Sequence, residues 1–351
     1  MKRLLGVGVL GAVLIVCSSE AFAQSEAAVL YLMIKPGARA AGAGEAFVAT
    51  ADDAWATYYN PAGLGFQRGK VFGMSHTNWL PAFASDLYHE YFAYAWEQEG
   101  WGNLGVSAIY MSYGEQVRTS EIGDVLGTFR SFDTAIGVSY GALLSDRSSA
   151  GVTMKILYSR LAPFGAAAEK GSGTGTSYAV DLGFLIKDFL MRGLSLGVAL
   201  QNMGPSIAYI DVEQADPLPQ NLKMGFAYQI FESEYNSLKL SADFSKMLVK
   251  KEKDKADPFY KALITSWFDR PLKTEIDEVI ENVGFEYWYG SWVSLRAGFF
   301  RDTYFNTGEG KPYMTFGAGL KYSMFQFDAA YVPASETPLA DNTRFSLTLR
   351  F

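Results

Sequence analysis

Side chains able to act as a base or a nucleophile are few in this sequence, and its two histidines come first. His76 follows Ser75, and His89 precedes Glu90, so that a hydroxyl, imidazoles and a carboxylate lie near one another in the chain. Such groups could form a nucleophilic triad if the fold brought them together. Adjacent residues of a strand point to opposite faces, which keeps Ser75 from pairing easily with His76. We therefore predict no catalytic residue and a protein that is not an enzyme.

Metal and cofactor sites are also not predicted. No group of His, Cys, Asp and Glu has the spacing of metal ligands. The glycine-rich stretch from Gly37 to Gly44 lacks the GK[ST] ending of a phosphate-binding loop. Glycine tolerates positive φ and close backbone approach, so the stretch favours a tightly packed backbone over a nucleotide site.

The amino terminus has the pattern of a secretory signal peptide. Lys2 and Arg3 precede an apolar run over residues 4–16, and Ala21-Phe22-Ala23 supplies small residues for cleavage before Gln24. This pattern predicts a signal peptide over residues 1–23. Later stretches fall short of the ~20 consecutive apolar residues that a transmembrane helix requires.

The single cysteine and the net charge narrow the alternatives further. Cys17 lies within the leader and follows Val16, whereas a lipoprotein signal has a small residue there, so an ordinary leader is favoured. The net charge of −7 argues against a nucleic-acid partner, which calls for a basic surface.

Alternation of apolar with small or polar residues recurs from about residue 70 to the end and predicts strands. In the last strand Phe345, Leu347, Leu349 and Phe351 share one face, and the residues between them share the other. Fourteen such segments can be counted. They are 70–79, 87–97, 101–113, 131–143, 148–160, 177–187, 192–202, 220–231, 235–247, 282–289, 292–301, 312–322, 324–332 and 342–351.

Short and long connections alternate between these segments, as in outer-membrane barrels. The sequence therefore predicts an all-β fold: a 14-stranded antiparallel transmembrane β-barrel over residues 70–351. The barrel would close by pairing the last strand with the first, near residues 70–79. Phe345, Leu347, Leu349 and Phe351 would face lipid, and Arg344 and Arg350 would face inward.

Two regions do not have the pattern of a barrel wall. Residues 24–69 are rich in small residues and are expected in the lumen or beneath it. The loop 248–281 is predicted to be helical and extracellular, beginning at Asp257-Pro258 as N-cap and first residue. Its apolar side chains would either pack as a lid on the barrel mouth or contact a partner; they are Phe259, Leu263, Trp267 and Phe268.

The stretch Pro36–Ala46, with Asp52-Asp53-Ala54 and Asn60-Pro61-Ala62-Gly63-Leu64, resembles the amino-terminal signature of FadL-like barrels. The resemblance implies fourteen strands and a lumenal hatch formed by residues 24–69. The hatch motif would comprise Gly37, Arg39, Gly42, Gly44, Asp52, Asp53, Asn60 and Pro61.

Other segments are similar to the PorV/PorQ family within that superfamily, and most of all to PorV. They include Gln201-Asn202-Met203-Gly204-Pro205, Gly284–Tyr289 and Asp341–Leu347. The resemblance implies an outer-membrane component of type IX secretion that binds substrates through their carboxy-terminal signal domain. Its partners would be the translocon barrel, these substrates, the surface attachment complex and outer-membrane lipid.

Two further functions remain open at this stage. The hatch signature also fits passive uptake of hydrophobic molecules through a FadL-like lumen. An enzyme acting on lipid A at the outer leaflet would have to use His76 or His89.

Overall fold

The computed structural model describes residues 27–81, 84–120, 122–163, 172–252, 255–301, 313–332 and 342–351. The predicted signal peptide and Cys17 lie outside them. Fourteen long strands are found in these residues. They are β1 Lys70–Asn78, β2 Leu87–Gln98, β3 Gly102–Thr119, β4 Val125–Leu143, β5 Ser148–Ala162, β6 Gly173–Ile186, β7 Leu194–Met203, β8 Asn221–Glu232, β9 Asn236–Met247, β10 Ile280–Tyr289, β11 Val293–Arg301, β12 Tyr313–Tyr322, β13 Phe325–Val332 and β14 Asn342–Arg350.

These strands form one closed antiparallel barrel in which each strand pairs with its neighbours in the chain. β14 closes the barrel against β1, with Val71 opposite Arg350 and Thr77 opposite Arg344. The predicted 14-stranded fold is therefore confirmed. Closure leaves no long edge in the membrane-spanning wall, where unpaired backbone groups would be costly.

Three strands extend four or more residues beyond the bounds that the alternation predicts. β3 runs on to Thr119, β4 already starts at Val125, and β6 starts at Gly173 instead of residue 177. The stretches added to β3 and β6 are mostly polar or small, and the stretch added to β4 contains Val125, Leu126 and Phe129 without strict alternation. They lack the apolar row that contact with lipid imposes, so the pattern could not show them.

Aromatic side chains mark the level at which the barrel leaves the membrane. Tyr88, Tyr110, Phe132 and Tyr158 lie side by side on β2 to β5, with adjacent ring centroids 6.0, 5.6 and 6.0 Å apart. Such a girdle is typical of a membrane–water interface. It lies toward the end of the barrel that carries the long connections, which is the outer side.

The last strand alternates as its sequence pattern requires. Arg344, Ser346 and Thr348 are buried, whereas Phe345 and Phe351 are exposed and Leu347 and Leu349 are half-buried. The Phe351 N–H donates to the Lys70 carbonyl at 2.9 Å, so the chain end is held next to the start of β1.

Residues 27–69, here called the N-terminal segment, are enclosed by the barrel. They contain α1 Ala38–Gly42, α2 Ala56–Tyr59 and two 3-10 helices, Leu30–Met33 and Pro61–Phe66. The Ala28 N–H donates to the Pro217 carbonyl at the outer end, and the Glu97 N–H donates to the Gly69 carbonyl at the other end. The segment therefore descends through the lumen, starting near the outer loops.

Glycine allows this backbone to approach the wall closely. A Cβ on Gly298 of β11 would lie 1.9 Å from the Gly44 nitrogen, so any other residue there would displace the segment. Gly44 itself has φ 63°, a conformation that glycine adopts at little cost.

The loop between β9 and β10 contains a two-residue antiparallel ladder, Lys251–Glu252 with Lys255–Ala256, and two short helices. These are α3 Phe259–Thr265 and α4 Leu272–Asp277. The predicted start at Asp257-Pro258 is wrong by one residue, because Pro258 is the N-cap. Trp267 lies past the end of α3 and does not continue its stripe. No helix in the described ranges is both long and apolar enough to cross a membrane.

Candidate interaction surface and lumen network

Arg39 is the centre of a buried ion network that joins the N-terminal segment to the barrel wall. Its Nη1 lies 2.6 Å from Asp52 Oδ1 and 2.9 Å from Asp53 Oδ2, while Nε and Nη2 each bind Glu286 at 2.8 Å. This fork-shaped contact with Glu286 of β10 is the bidentate geometry that guanidinium favours. Arg39 thus ties α1 both to the following turn and to the barrel wall.

The network continues along the wall. Arg296 of β11 binds Glu286 at 2.7 Å and Asp328 at 2.8 Å. Lys239 of β9 lies 3.7 Å from Asp52. A polar cavity of about 390 Å³ borders this network on the side of the short turns, and Gly290, Ser291, Lys321 and Arg350 are among its lining residues.

Glu45 carries a second ion cluster. Its carboxylate lies 3.1 Å from Lys35 Nζ and 2.7 Å from Arg344 Nη1. Arg344 also donates to the Lys35 carbonyl at 2.8 Å, so β14 is joined twice to the N-terminal segment. All three side chains are largely buried, and the inward-facing arginine has its charge matched in the lumen.

Asn60 and Pro61 end the short α2 and start the next turn. Asn60 Oδ1 accepts from the Ala62 N–H at 3.1 Å, and its Nδ2 donates to the Val48 carbonyl at 3.0 Å and the Phe184 carbonyl at 3.1 Å. The side chain thus caps the 3-10 helix and joins the segment to β6.

The glycines of the predicted hatch motif lie in and next to α1: Gly37 is its N-cap, Gly42 is its last residue, and Gly44 follows it. Gly42 approaches Gly317 of β12, where a Cβ would lie 2.7 Å from the Gly317 Cα. Gly37 lies against the Trp55 ring, and Gly44 donates its N–H to Thr315 Oγ1 at 3.0 Å. The eight motif residues are thus placed in the lumen, yet their role as a hatch stays a prediction.

Exposed apolar side chains cover the helical outer loop. Of the four predicted contact residues, Phe268 is 80% exposed, Phe259 and Trp267 are partly exposed, and Leu263 is half-buried. Sequence reasoning missed others because it assumed one continuous helical stripe. We call the whole set the loop surface: Phe259, Tyr260, Ile264, Trp267, Phe268, Leu272 and Ile276.

A buried lysine fixes this loop to the barrel. Lys246, near the end of β9, lies 2.7 Å from Glu275 and 2.6 Å from Glu278, and its Nζ stands 5.6 Å from the Trp267 ring centroid. Arg270 adds a second contact to Glu278 at 2.7 Å. α4 is therefore held by charge, which leaves its apolar side chains available at the surface.

Burial and hydrogen bonds shift the pKa values of loop carboxyls, among them Asp269 and Asp257. Partial burial, together with the hydrogen bond and the charge of Glu275, raises the pKa of Asp269 to about 6. Hydrogen bonds from Lys261 and Thr265 lower the pKa of Asp257. Asp257 thus remains charged and binds the two residues of α3, at 2.9 and 2.8 Å.

The histidines do not assemble a triad. His76 faces outward, with Nδ1 2.7 Å from Glu90 Oε1 and Nε2 3.0 Å from Asn78 Oδ1. Both ring nitrogens therefore meet carboxylate or amide oxygens, and Ser75 is buried on the opposite face. His89 is fully buried in the lumen. Within the described residues there is no group of three or more His, Cys, Asp or Glu able to hold a metal ion.

Comparison with a family model gives a match over residues 19–254, to "Type IX secretion system protein PorV". The matched part ends within the outer loop, so the similar segments beyond it are not covered. A comparison with curated proteins finds no match.

Solved structures with a similar fold include a transporter, a FadL homologue and a channel. The toluene transporter TbuX of Ralstonia pickettii is 14% identical, with a TM-score of 0.54 over 90% of this chain and 98% of that one. A Pseudomonas aeruginosa FadL homologue is 12% identical, with a TM-score of 0.52 and the same coverages. The monoaromatic hydrocarbon channel CymD is 13% identical, with a TM-score of 0.55 over 91% and 98%. At this identity the likeness concerns the fold alone.

Proposed function

Because this chain belongs to the PorV family of type IX secretion proteins, we propose that it binds exported substrates by their carboxy-terminal signal domain. It takes them at the translocon barrel and delivers them to the surface attachment complex. The family match is the observation that carries this proposal. The closed barrel accounts for the position of the protein in the outer membrane. This role requires surfaces that bind other proteins, and it requires no covalent bond to be made or broken. It agrees with the placement of His76 and Ser75 on opposite faces of the barrel wall.

The loop surface is the best candidate for these contacts. It lies on the outer end of the barrel and presents apolar side chains from both α3 and α4. A cluster of exposed apolar side chains is typical of a binding site. The ion pairs of Lys246 support the loop from below, so a partner would meet a surface that is already formed.

The filled lumen supports docking over conduction. The N-terminal segment buries Tyr31, Trp55 and Tyr59 inside the barrel, and its ion network joins it to β10 and β14. Release of the segment would break several buried ion pairs at once. We infer that the barrel serves as a rigid support for the outer loops.

Affinity isolation from membranes tests the proposal. The wild-type protein should bring with it a very large barrel and proteins that share a carboxy-terminal domain. Replacing Phe268 and Leu272 together by Ser should reduce this recovery several-fold. A matched control is Leu190→Ser, since Leu190 is 87% exposed in the turn between β6 and β7, at the opposite end. Equal recovery with the wild type, the double variant and Leu190→Ser would show that the loop surface does not bind these partners.

Passive transport of hydrophobic molecules is the competing function, and the fold shared with hydrocarbon channels favours it. It requires an apolar path through the lumen, whereas the cavity near Arg39 is lined mainly by polar side chains. Saturable binding of a fatty acid or toluene to the purified protein, with the lipid located in the lumen, would support transport instead.

A further inference from the structure

Strand β6 extends farther outward than its neighbour β7. The pairing of these strands ends at Val180 with Met203, although β6 continues to Gly173. Gly204 and Pro205 follow at once, and Pro205 has no N–H to donate to a ladder. On its other side β6 remains paired with β5 up to Gly173. Gly204 still borders β6 at the Tyr178 carbonyl, since a Cβ on Gly204 would lie 2.0 Å from that oxygen. Among the described residues, Gly173–Thr176, about 10 Å of strand at ~3.3 Å per residue, thus has a neighbour on one side only.

The chain that follows β7 does not cover this edge with a ladder. It passes along the inner face of β6, where a Cβ on Gly175 would lie 2.8 Å from Ile207, and Ser177 Oγ donates to the Pro205 carbonyl at 2.9 Å. Within the described residues, the backbone hydrogen bonds of Ile207 go to Asp216 and none joins this passage to β6.

The backbone groups that point to the open side can be assigned. The Lys187 N–H, directly after β6, donates to the Arg147 carbonyl on the β5 side. Backbone groups of successive residues point to opposite neighbours in an antiparallel strand. Thr176 therefore directs its N–H and C=O groups toward the side that β7 leaves vacant among the described residues.

This edge lies at the outer surface. Thr176 is paired with Tyr158, which belongs to the aromatic row at the membrane interface. Residues before Thr176 therefore extend above the interface. There the backbone meets water and other proteins, since an open edge would be costly within lipid.

The edge also lacks the features that keep exposed edges from pairing. The protruding ends of β3 and β4 carry Glu115, Arg118 and Arg130, and charges of this kind discourage edge pairing. The stretch Gly173–Thr176 reads GTGT, with no charge and no proline. Only small side chains flank this backbone.

We propose that the open edge of β6, at Gly173–Thr176, adds an extended strand from an exported substrate at the cell surface. Backbone N–H and C=O groups would hold that strand in an added ladder, and the side chains around Thr176 would tolerate many sequences. This inference rests on the proposed function for the identity of its occupant. It adds a second contact beside the loop surface, with recognition by backbone instead of by apolar burial.

Photo-crosslinking in cells tests the edge. A photoreactive amino acid is placed at Thr174, and an epitope-tagged exported substrate with the carboxy-terminal domain is the probe. Thr176→Pro removes the backbone N–H that faces the open side. Thr176→Lys adds a positive charge, which discourages pairing at an edge strand. Thr176→Val keeps the backbone N–H, adds no charge and serves as the control. Each variant is first checked for a folded, heat-modifiable barrel, and the lysine variant remains informative if the proline variant does not fold.

We expect an adduct with the substrate in the parent and in Thr176→Val, reduced roughly tenfold in Thr176→Pro and Thr176→Lys. An unchanged adduct in both variants, an adduct between two copies of this chain, or one within the chain would overturn the proposal. Secretion is measured separately in a strain that lacks the protein. If the strain without the protein loses surface attachment but no adduct forms, the proposed contact at the β6 edge is wrong and the proposed secretion function stands. If an adduct forms but attachment is normal without the protein, the proposed secretion function is wrong.

Discussion

Replacing Arg39 by Met removes the central charge of the lumen network while nearly keeping the side-chain volume. Arg39 is 5% exposed and binds three carboxylates, of which Asp53 is 1% exposed. Glu286 keeps Arg296 as a partner, and Asp52 keeps the more distant Lys239. Asp53 has no other ion pair among those of the described residues. The substitution therefore leaves a carboxylate buried and uncompensated.

The expected cost is about 3–5 kcal/mol of unfolding free energy at neutral pH, the usual cost of removing one partner of a buried ion pair. A matched control is Arg68→Met, which removes the same group from an ion pair with Glu97 at 3.3 Å. Arg68 is 66% exposed, so its loss should cost less than about 1 kcal/mol. The double variant Arg39→Met with Asp53→Asn should recover part of the stability, because the orphaned charge is gone.

Unfolding by denaturant in detergent micelles, followed by tryptophan fluorescence and by the gel mobility of the folded barrel, measures these differences. Protease susceptibility of residues 27–69 is the second readout. If Arg39→Met and Arg68→Met lose the same stability, or if Asp53→Asn gives no recovery, the network does not hold the segment in the lumen.

Three further changes test other parts of the structure. Gly298→Ala should expel or shift the N-terminal segment, because its Cβ would lie 1.9 Å from the Gly44 nitrogen; the segment should become open to protease, and an unchanged digestion pattern would contradict the packing. The pKa of Asp269 is raised to about 6 from its usual ~3.9, so its contribution to loop stability is present below pH 4 and is lost as pH rises through 6. Hydrogen exchange in the loop, corrected for intrinsic rates, should be slower at pH 5 than at pH 7.5, and Asp269→Asn should abolish that difference. Lys246→Gln should speed proteolysis of the loop, with a local cost of about 3 kcal/mol, whereas Lys261→Gln in an exposed pair should change little; equal effects would refute the anchoring role.

The barrel could be predicted from the sequence because lipid imposes a strict pattern. Contact with hydrocarbon on one side and a packed lumen on the other gives the period of two seen from Phe345 to Phe351. Outside the membrane this constraint ends. The outer ends of β3, β4 and β6 were therefore missed, and the open edge near Thr176 is part of the added end of β6.

The lumen network was only partly foreseeable. The sequence indicates that Arg344 faces inward, since this follows from the alternation of the last strand. It does not indicate that Arg39 would meet Glu286, because that pair joins distant parts of the chain through tertiary packing. The loop surface was misjudged for a related reason. α3 ends at Thr265, so exposure follows how two short helices pack and not one continuous stripe.

The most direct test of the central claim is a comparison of surface proteins with and without this protein. The gene is deleted, the strain is complemented with the wild type or with the Phe268→Ser and Leu272→Ser double variant, and proteins of the surface fraction are quantified by mass spectrometry. The account predicts that proteins with the carboxy-terminal signal domain disappear from the surface on deletion, return with the wild type, and return only in part with the double variant. Normal attachment of these proteins in the deletion strain would contradict it.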